Sequence, residues 1–579
     1  MNIRDRIVNS AIWAAYGDAL GFISELGDAL ILKKRTGLNS LTGLINWRRR
    51  IGGQYGPDVP LPAGCYSDDT QLRLATGRAI RADGTFDVEV FAKIELTVWP
   101  SYALGAGRGT KAAAAGLARQ DTNWFSNFFS SNKSEYMNCG GNGAAMRIQP
   151  HVWASLNRGR PKCYLGDVIR NSICSHGHFR GIVGAVFHAL CLALALEKET
   201  EPGPEMWKEA VNFFNLVAKV MRDDTNICTF WLPTWEQKSG MTIEHAIKDV
   251  SAECLDDIEV LNGLLDMKPQ RAYLAALDRM GGKKKDMMGS GTKTAIFASF
   301  LAWLYRDESP DEAMLLASNS LGSDTDTIAT MAGAIMGACK ATSPVTKIMD
   351  SDYIASEAER LCNISAGLIA EEFSYPDLHR WIPPKTQLDV VGLHGNKIAV
   401  AGLGIATAYG DEFSPPARKS ETVWQWLSLS FGQSILSKRR VHIRGLPLGN
   451  IPTQGYLPSL KVHNPDYKSG KFKSEYVIPL DIPLEGAHQD KPRLGCPGNP
   501  RIEQHNLLQF NPQTGASDND RESDVDLLTK QAIDSGFNEG TIGNHILNLS
   551  RREGGVNQAI GYAAIIAKAI AARQRQKRN

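Results

Sequence analysis

Apolar residues recur at helical spacing through the first two-thirds of this 579-residue chain. The periodic runs cover 7–20, 71–81, 88–99, 182–196, 207–221, 243–265, 294–305, 311–319 and 327–340. Several are rich in Ala, Leu and Met, which favour helix. Gly- and Asn-rich breaks at 105–110, 139–143 and 289–292 separate them. Few runs alternate with period two, so the pattern predicts an all-α domain over residues 1–385. The texture changes at Trp381-Ile382-Pro383-Pro384. β-prone runs follow at 388–393, 397–408, 441–446 and 476–480, densely punctuated by proline and glycine. A polar stretch at 513–523 reads as a loop, and helical spacing at 524–535, 541–551 and 556–573 predicts a helical end over 524–575. The expected architecture is an all-α N-terminal domain, 1–385, followed by a smaller α+β domain, 386–579.

Size agrees with two domains, since single cores stop growing well below this length. A net charge of +2 sets up no global field toward nucleic acid or acidic membrane. The ten cysteines form no CxxC pair, which argues against a zinc ribbon or a disulfide framework. Scattered thiols fit a reducing cytoplasm. The N-terminus lacks an apolar signal core. The longest apolar run, 181–196, is about a turn short of a bilayer span and contains His188. It predicts a buried core helix, and the protein is expected to be soluble, cytoplasmic and free of membrane.

Chemistry enters with two acidic motifs, each just before a helical run. Ser67-Asp68-Asp69-Thr70 precedes QLRLATGRAI, and Gly322-Ser323-Asp324-Thr325-Asp326-Thr327 precedes IATMAGAIMGA. Singly, each reads as a helix N-cap. Capping needs one side chain, however, and leaves the paired carboxylates in both places unexplained. Clustered carboxylates raise one another's pKa unless something positive intervenes. A helix N-terminus supplies only about half a charge. If the two turns meet, hard divalent cations such as Mg²⁺ or Mn²⁺ would satisfy their carboxylate and hydroxyl oxygens. A third element, Gly17-Asp18-Ala19-Leu20-Gly21-Phe22-Ile23-Ser24-Glu25, ends a helix in glycines and places an acid in the following loop. Asp18 reads equally as a buried, hydrogen-bonded helix residue.

The series GDALGxxxE, SDDT, GNGAAMR, SH before an apolar helix, and GSDTDT resembles the ADP-ribosylglycohydrolase family over roughly residues 5–345, with a helical remainder to 385. That family includes dinitrogenase-reductase-activating and ADP-ribosyl-arginine and -serine hydrolases. The resemblance implies an all-α domain with two Mg²⁺ or Mn²⁺ ions in a cleft. By matching position, the ion ligands would be Ser67, Asp68, Asp69, Asp324, Asp326 and Thr327. Ser67 stands where the family more usually has threonine, Ser323 where it often has glycine, and Ile23 where it often has proline. Glu25 is the candidate general acid/base, with Asp68, Asp69 or Asp324 as alternatives. The resemblance further implies substrate contacts from Asn142 and Gly143 to phosphate, from His176 to ribose and phosphates, and from Gly289 and Gly291 near the nucleoside. Arg147 either assists the phosphate or pairs with a structural acid. Gly289–Thr294 lacks the GxxxxGK[ST] spacing of a phosphate loop, so a kinase reading is poor. Trp99, Tyr102, Trp124 and Phe125 flank loops that could present a stacking ring, though core packing explains them better.

The expected activity is release of ADP-ribose from a modified protein side chain, arginine linkage favoured. Retention of six candidate ligands argues for an enzyme over a non-catalytic ADP-ribose or nucleotide binder. An immunity protein that blocks an ADP-ribosyltransferase through residues 386–579 is a further reading. A nucleic-acid substrate rests only on the terminal basic cluster from Lys568 to Arg578.

Overall fold

The computed structural model describes residues 1–452 except 106, 133 and 417–420, then 524–551 and most of 558–570. The predicted strand at 476–480, the loop at 513–523 and the basic residues of the terminal cluster lie outside the described residues. The chain divides into two compact units, Met1–Asn499 and Pro500–Asn579.

The first unit is built around six helices: α1 (Ile3–Phe22), α2 (Asp68–Arg78), α3 (Phe179–Lys198), α4 (Gly291–Leu304), α5 (Thr325–Cys339) and α6 (Ser351–Ser365). α1 and α5 run antiparallel with their backbones in contact. A Cβ at Gly17 would lie 2.4 Å from the Ala329 carbonyl oxygen, one at Gly21 2.3 Å from that of Thr325, and one at Gly333 2.3 Å from that of Trp13. Only glycine permits such an approach. Thr330 Oγ1 donates to the Ala14 carbonyl at 2.6 Å and Ser10 Oγ to that of Ala334 at 2.7 Å, tying the pair together. The contact sets the C-terminal end of α1 beside the N-terminal end of α5.

The run predicted at 181–196 is α3, now 20 residues long. It is apolar and long enough to cross a membrane, yet 89% of its apolar window is buried within the protein, as a core helix is. The predicted run 207–221 splits into Pro204–Asn212 and Asn215–Asp223. The run at 88–99 is helical but opens into a π turn at Phe91–Glu95. Seven α-helices among the described residues escaped the periodicity, among them α6, Ala29–Thr36 and Arg108–Leu117. Ala29–Thr36 buries only Leu32, so it carries no apolar stripe to read. Arg108–Leu117 begins inside what reads as a glycine break.

The helical region is not wholly α. It contains two short hairpins, β1 (Trp47–Arg50) with β2 (Asp58–Leu61), and β3 (Ser130–Ser131) with β4 (Ser134–Glu135). Beyond 385 comes an antiparallel five-stranded meander in the order β5 (Val391–His394), β6 (Lys397–Val400), β7 (Gly404–Phe413), β8 (Thr422–Leu429) and β9 (Ser434–Arg440). The strand expected at 441–446 is displaced to β9. β8 was unseen because its residues are buried on both faces and show no alternation. Val400, Trp424, Leu427 and Ile435 share one apolar core with the helices. The change at 385 is therefore one of secondary structure, with the sheet inside the first compact unit. The second unit holds helices Asp524–Asp534 and Glu539–Ser550, close to the predicted runs, around a small core of Ala532, Leu549, Tyr562 and Ile566.

Candidate metal centre

Three helix ends converge. α1 brings Asp18 and the Glu25 loop, the start of α2 brings Ser67–Asp69, and the start of α5 brings Asp324–Thr327. One carboxylate oxygen each from Asp18, Asp69 and Asp326 lie within 4.8 Å of one another, and all three residues are buried. The two acidic turns expected to meet do so. Asp18, left open by the sequence, lies between them.

Each acid has a defined seat. Asp18 accepts from the backbone N–H of Ser67 at 2.9 Å and of Thr70 at 2.8 Å, so it frames the first turn while facing the second. Ser67 caps α2: its hydroxyl accepts from Asp69 N–H and donates to Asp69 Oδ2, both at 3.3 Å. Asp324 flanks α5, with Oδ2 accepting from Asn142 Nδ2 at 2.7 Å. Asp326 Oδ1 accepts from Thr327 N–H at 2.9 Å. Glu25 Oε2 is 2.8 Å from an Arg49 nitrogen, an ion pair without the directionality of a hydrogen bond. Gly105, at φ 93°, closes the other side: a Cβ there would lie 2.4 Å from Asp68 Oδ1 and 3.7 Å from Glu25 Oε2.

Magnitudes decide what this cluster can be. At an effective dielectric of about 20, two charges 4.8 Å apart repel by roughly 3 kcal/mol, so three ionised carboxylates cost about 10 kcal/mol. That rivals the entire stability of a typical domain. Burial, then the neighbouring Asp18, Asp68 and Asp324, push Asp69 well above the ordinary carboxylate range. Burial, then Glu25, Asp324 and Asp69, do the same to Asp326. Asp18 and Asp324 also rise, chiefly through burial, against hydrogen bonds that pull them down. Arg35, Arg49, Arg73 and Arg147 are the cations that oppose these six acids among the described residues. Arg35 is itself pulled down to about 10, by burial and by Arg49. Asp69 Oδ1 is buried with no hydrogen-bond partner among the described residues. An orphaned carboxylate oxygen in an all-oxygen donor set fits a hard divalent cation.

The expected substrate residues fare unevenly. Gly143 faces the His176 ring, with Nε2 3.3 Å from where a Cβ would sit. His176 is held at Nδ1 by Ser175 Oγ at 2.9 Å, and burial, then Arg147, drive its pKa down to about 3, so the ring is neutral. Asn142 turns its amide to Asp324 and Thr294, and its backbone N–H donates to Gly289 O at 2.9 Å. Its side chain thus holds Asp324, and its backbone amide proton is taken by Gly289. Gly289 lies open beside Asp324, whose Oδ2 is 3.6 Å from the Cβ position. Gly291 is a correction: it is buried, its N–H donates to Gly140 O at 3.0 Å, and α3 packs on it too closely for any Cβ. Close helix crossing, not ligand contact, requires that glycine. Arg147 is buried and donates to Asn171 and Ser175, and it makes no ion pair with an acid among the described residues. Lys293 binds Asp257, which disposes of a phosphate loop.

Trp99, Tyr102 and Trp124 are core residues. The aromatics that line open space are others. A cavity of about 550 Å³ is bounded by Phe128, Phe129, Tyr136, Phe179 and Trp235. His178, also in its wall, has Nδ1 3.1 Å from the Cβ position of Gly140, next to the GNG turn. No spacing in the sequence separates these rings from core aromatics.

A mainly helical protein closes around a buried cluster of carboxylates whose all-oxygen donor set suits a hard cation. The chain belongs to the ADP-ribosylglycohydrolase family, whose model matches residues 1–347. Over 178 residues it is 28% identical to the ADP-ribosyl-[dinitrogen reductase] glycohydrolase of Rhodospirillum rubrum. That stretch is 31% of this chain and spans 53%, about half, of the relative's length. A solved ADP-ribosylglycohydrolase-related protein complex matches 63% of this chain and 99% of its own at 19% identity, with a TM-score of 0.37.

Proposed function

We propose that the chain hydrolyses the glycosidic bond between ADP-ribose and a modified protein side chain, with arginine as the favoured linkage. The observation that carries this reading is the meeting of Asp18, Asp69 and Asp326 at one buried point inside the family-matched span. The named target of the Rhodospirillum relative supports a protein substrate. The free cysteines among the described residues support a reducing compartment.

Two Mg²⁺ or Mn²⁺ ions are the proposed cofactors, held by Ser67, Asp68, Asp69, Asp324, Asp326 and Thr327, with Asp18 framing the set. When bound, such ions would orient ribose hydroxyls and polarise water. The chain's own groups do the rest. Glu25, at the pit's edge beside Gly105 and Asp68, is the group that moves a proton at the glycosidic centre, with Arg49 fixing its Oε2. Gly143 and neutral His176 receive the diphosphate side without adding charge, and the aromatic cavity beyond Gly140 takes the adenine ring by stacking.

The reading is tested by incubating the protein with Mn²⁺ and a panel of ADP-ribosylated arginine, serine and nucleic-acid substrates and measuring free ADP-ribose. Release from none of them would refute it. Glu25→Gln should lower kcat at least about a hundredfold, the usual worth of a general acid or base. Mn²⁺ affinity should hold. Near-normal turnover would remove Glu25 from the role.

A further inference from the structure

The helix that carries the first acidic turn is held at both ends by one turn of the sheet. Just before α2, buried Tyr66 donates its hydroxyl to Asp350 Oδ2 at 2.7 Å, and the N–H of Ser434, the first residue of β9, donates to the same oxygen at 2.7 Å. At the far end Arg78, the last residue of α2, donates to Gln433 Oε1 at 2.7 Å. The remaining guanidinium nitrogens of Arg78 grip Glu95, in the π turn, at 2.7 and 2.9 Å. Asp350 sits at φ 55°, a conformation set by its place directly ahead of α6. Its neighbour Met349 donates its N–H to Gly64 O at 3.1 Å, and a Cβ at Gly64 would lie 2.8 Å from Ile348 Cα. Residues 64–66 are thus seated on 348–350. On the opposite side Ser67 N–H is fixed by Asp18.

We infer that Asp350 is a positioning residue for the ion-binding turn Ser67–Asp69, and that the 431–434 turn of the sheet completes the site. Asp350 and the sheet both lie beyond the family-matched span, which ends at 347. The physical reason is mechanical. The Asp69 carboxylate is useful only in one pose relative to Asp326, and Tyr66 is three residues before it. Asp18 and the Leu104 carbonyl, which accepts from Asp68 N–H at 2.8 Å, hold the turn itself. Asp350 and Gln433 fix the segment that enters it and the far end of its helix, so that the whole element cannot tilt.

This inference rests on the reading of the acidic pit as an ion site, and the test separates the two. Mn²⁺ affinity would be measured, without substrate, for full-length wild type, Tyr66→Phe, Asp350→Ala and Asp350→Asn, with melting temperatures recorded in chelator. Loss of a group that orients metal ligands should weaken Mn²⁺ binding about tenfold in Tyr66→Phe and Asp350→Ala, while Asp350→Asn, which keeps an acceptor oxygen, stays within about threefold of wild type. Tyr66→Phe removes one oxygen only and guards against a misfolded Asp350→Ala. Wild-type affinity in both Tyr66→Phe and Asp350→Ala, whatever their melting temperatures, would overturn the inference and leave the pit intact. Wild type that binds no Mn²⁺ would overturn both.

Discussion

Asp69→Asn should leave the protein inert toward its substrate yet more stable than wild type in chelator. The variant removes a carboxylate whose Oδ1 is buried without a partner and whose neighbours are Asp18, Asp68 and Asp324. With divalent ion present, loss of a shared ligand should cost about three orders of magnitude or more in kcat, the scale seen when a preorganised electrostatic group is removed. Without ion, relief of repulsion should raise the melting temperature. The pH sign follows from linkage. Asp69 in the folded protein titrates above its unfolded value, so its contribution is full at low pH and lost as pH rises through the carboxylate range and beyond. Asn has no such loss, so the advantage of the variant in chelator should widen from about pH 4 upward. A variant that is less stable than wild type in chelator at pH 7, or one that turns over normally, would contradict this account of the cluster.

Gly21→Ala should damage function far more than its size suggests. In an ordinary helix the change is favourable by about 0.5–1 kcal/mol. Here the new methyl would lie 2.3 Å from the Thr325 carbonyl oxygen and 2.4 Å from Asp326 Cα, well inside van der Waals contact. α1 and the start of α5 must part. Overpacking of this kind costs about 1–3 kcal/mol of stability. A displacement near 1 Å between reacting groups can cost about a hundredfold in rate. The displaced atoms belong to the turn that carries Asp324 and Asp326, and the Thr325 hydroxyl that donates to Gly21 O at 2.9 Å is dislodged with them. The variant is therefore expected to stay folded at 25 °C while kcat falls at least about a hundredfold and Mn²⁺ affinity falls with it. Normal kinetics would mean that the contact between the two helices does not set the pit.

What the sequence could reveal follows from where its signals are local. Paired acids at the heads of two apolar helices are visible because capping does not need them, and both turns lie where that logic puts them. Asp18 could not be decided, since a helical acid facing a pit and one satisfying amides look alike, and here it does both. Gly291 misled because a glycine kept for a helix crossing and a glycine kept for a ligand leave the same mark. Asn142 was placed at the site for a phosphate, whereas its side chain holds Asp324, because a single chain does not show which partner claims a side chain. β8 hid behind burial on both faces. The sheet's reach to Tyr66 through Asp350 is a contact between residues 284 positions apart, which no local pattern encodes.

The central claim is that the acidic turns at Ser67–Asp69 and Asp324–Thr327 hold divalent ions between them. Crystals grown with Mn²⁺ and measured above its absorption edge test that claim most directly. The account predicts anomalous peaks in contact with the carboxylates of both Asp69 and Asp326. A map with no peak there, at an Mn²⁺ concentration that supports turnover, would contradict it.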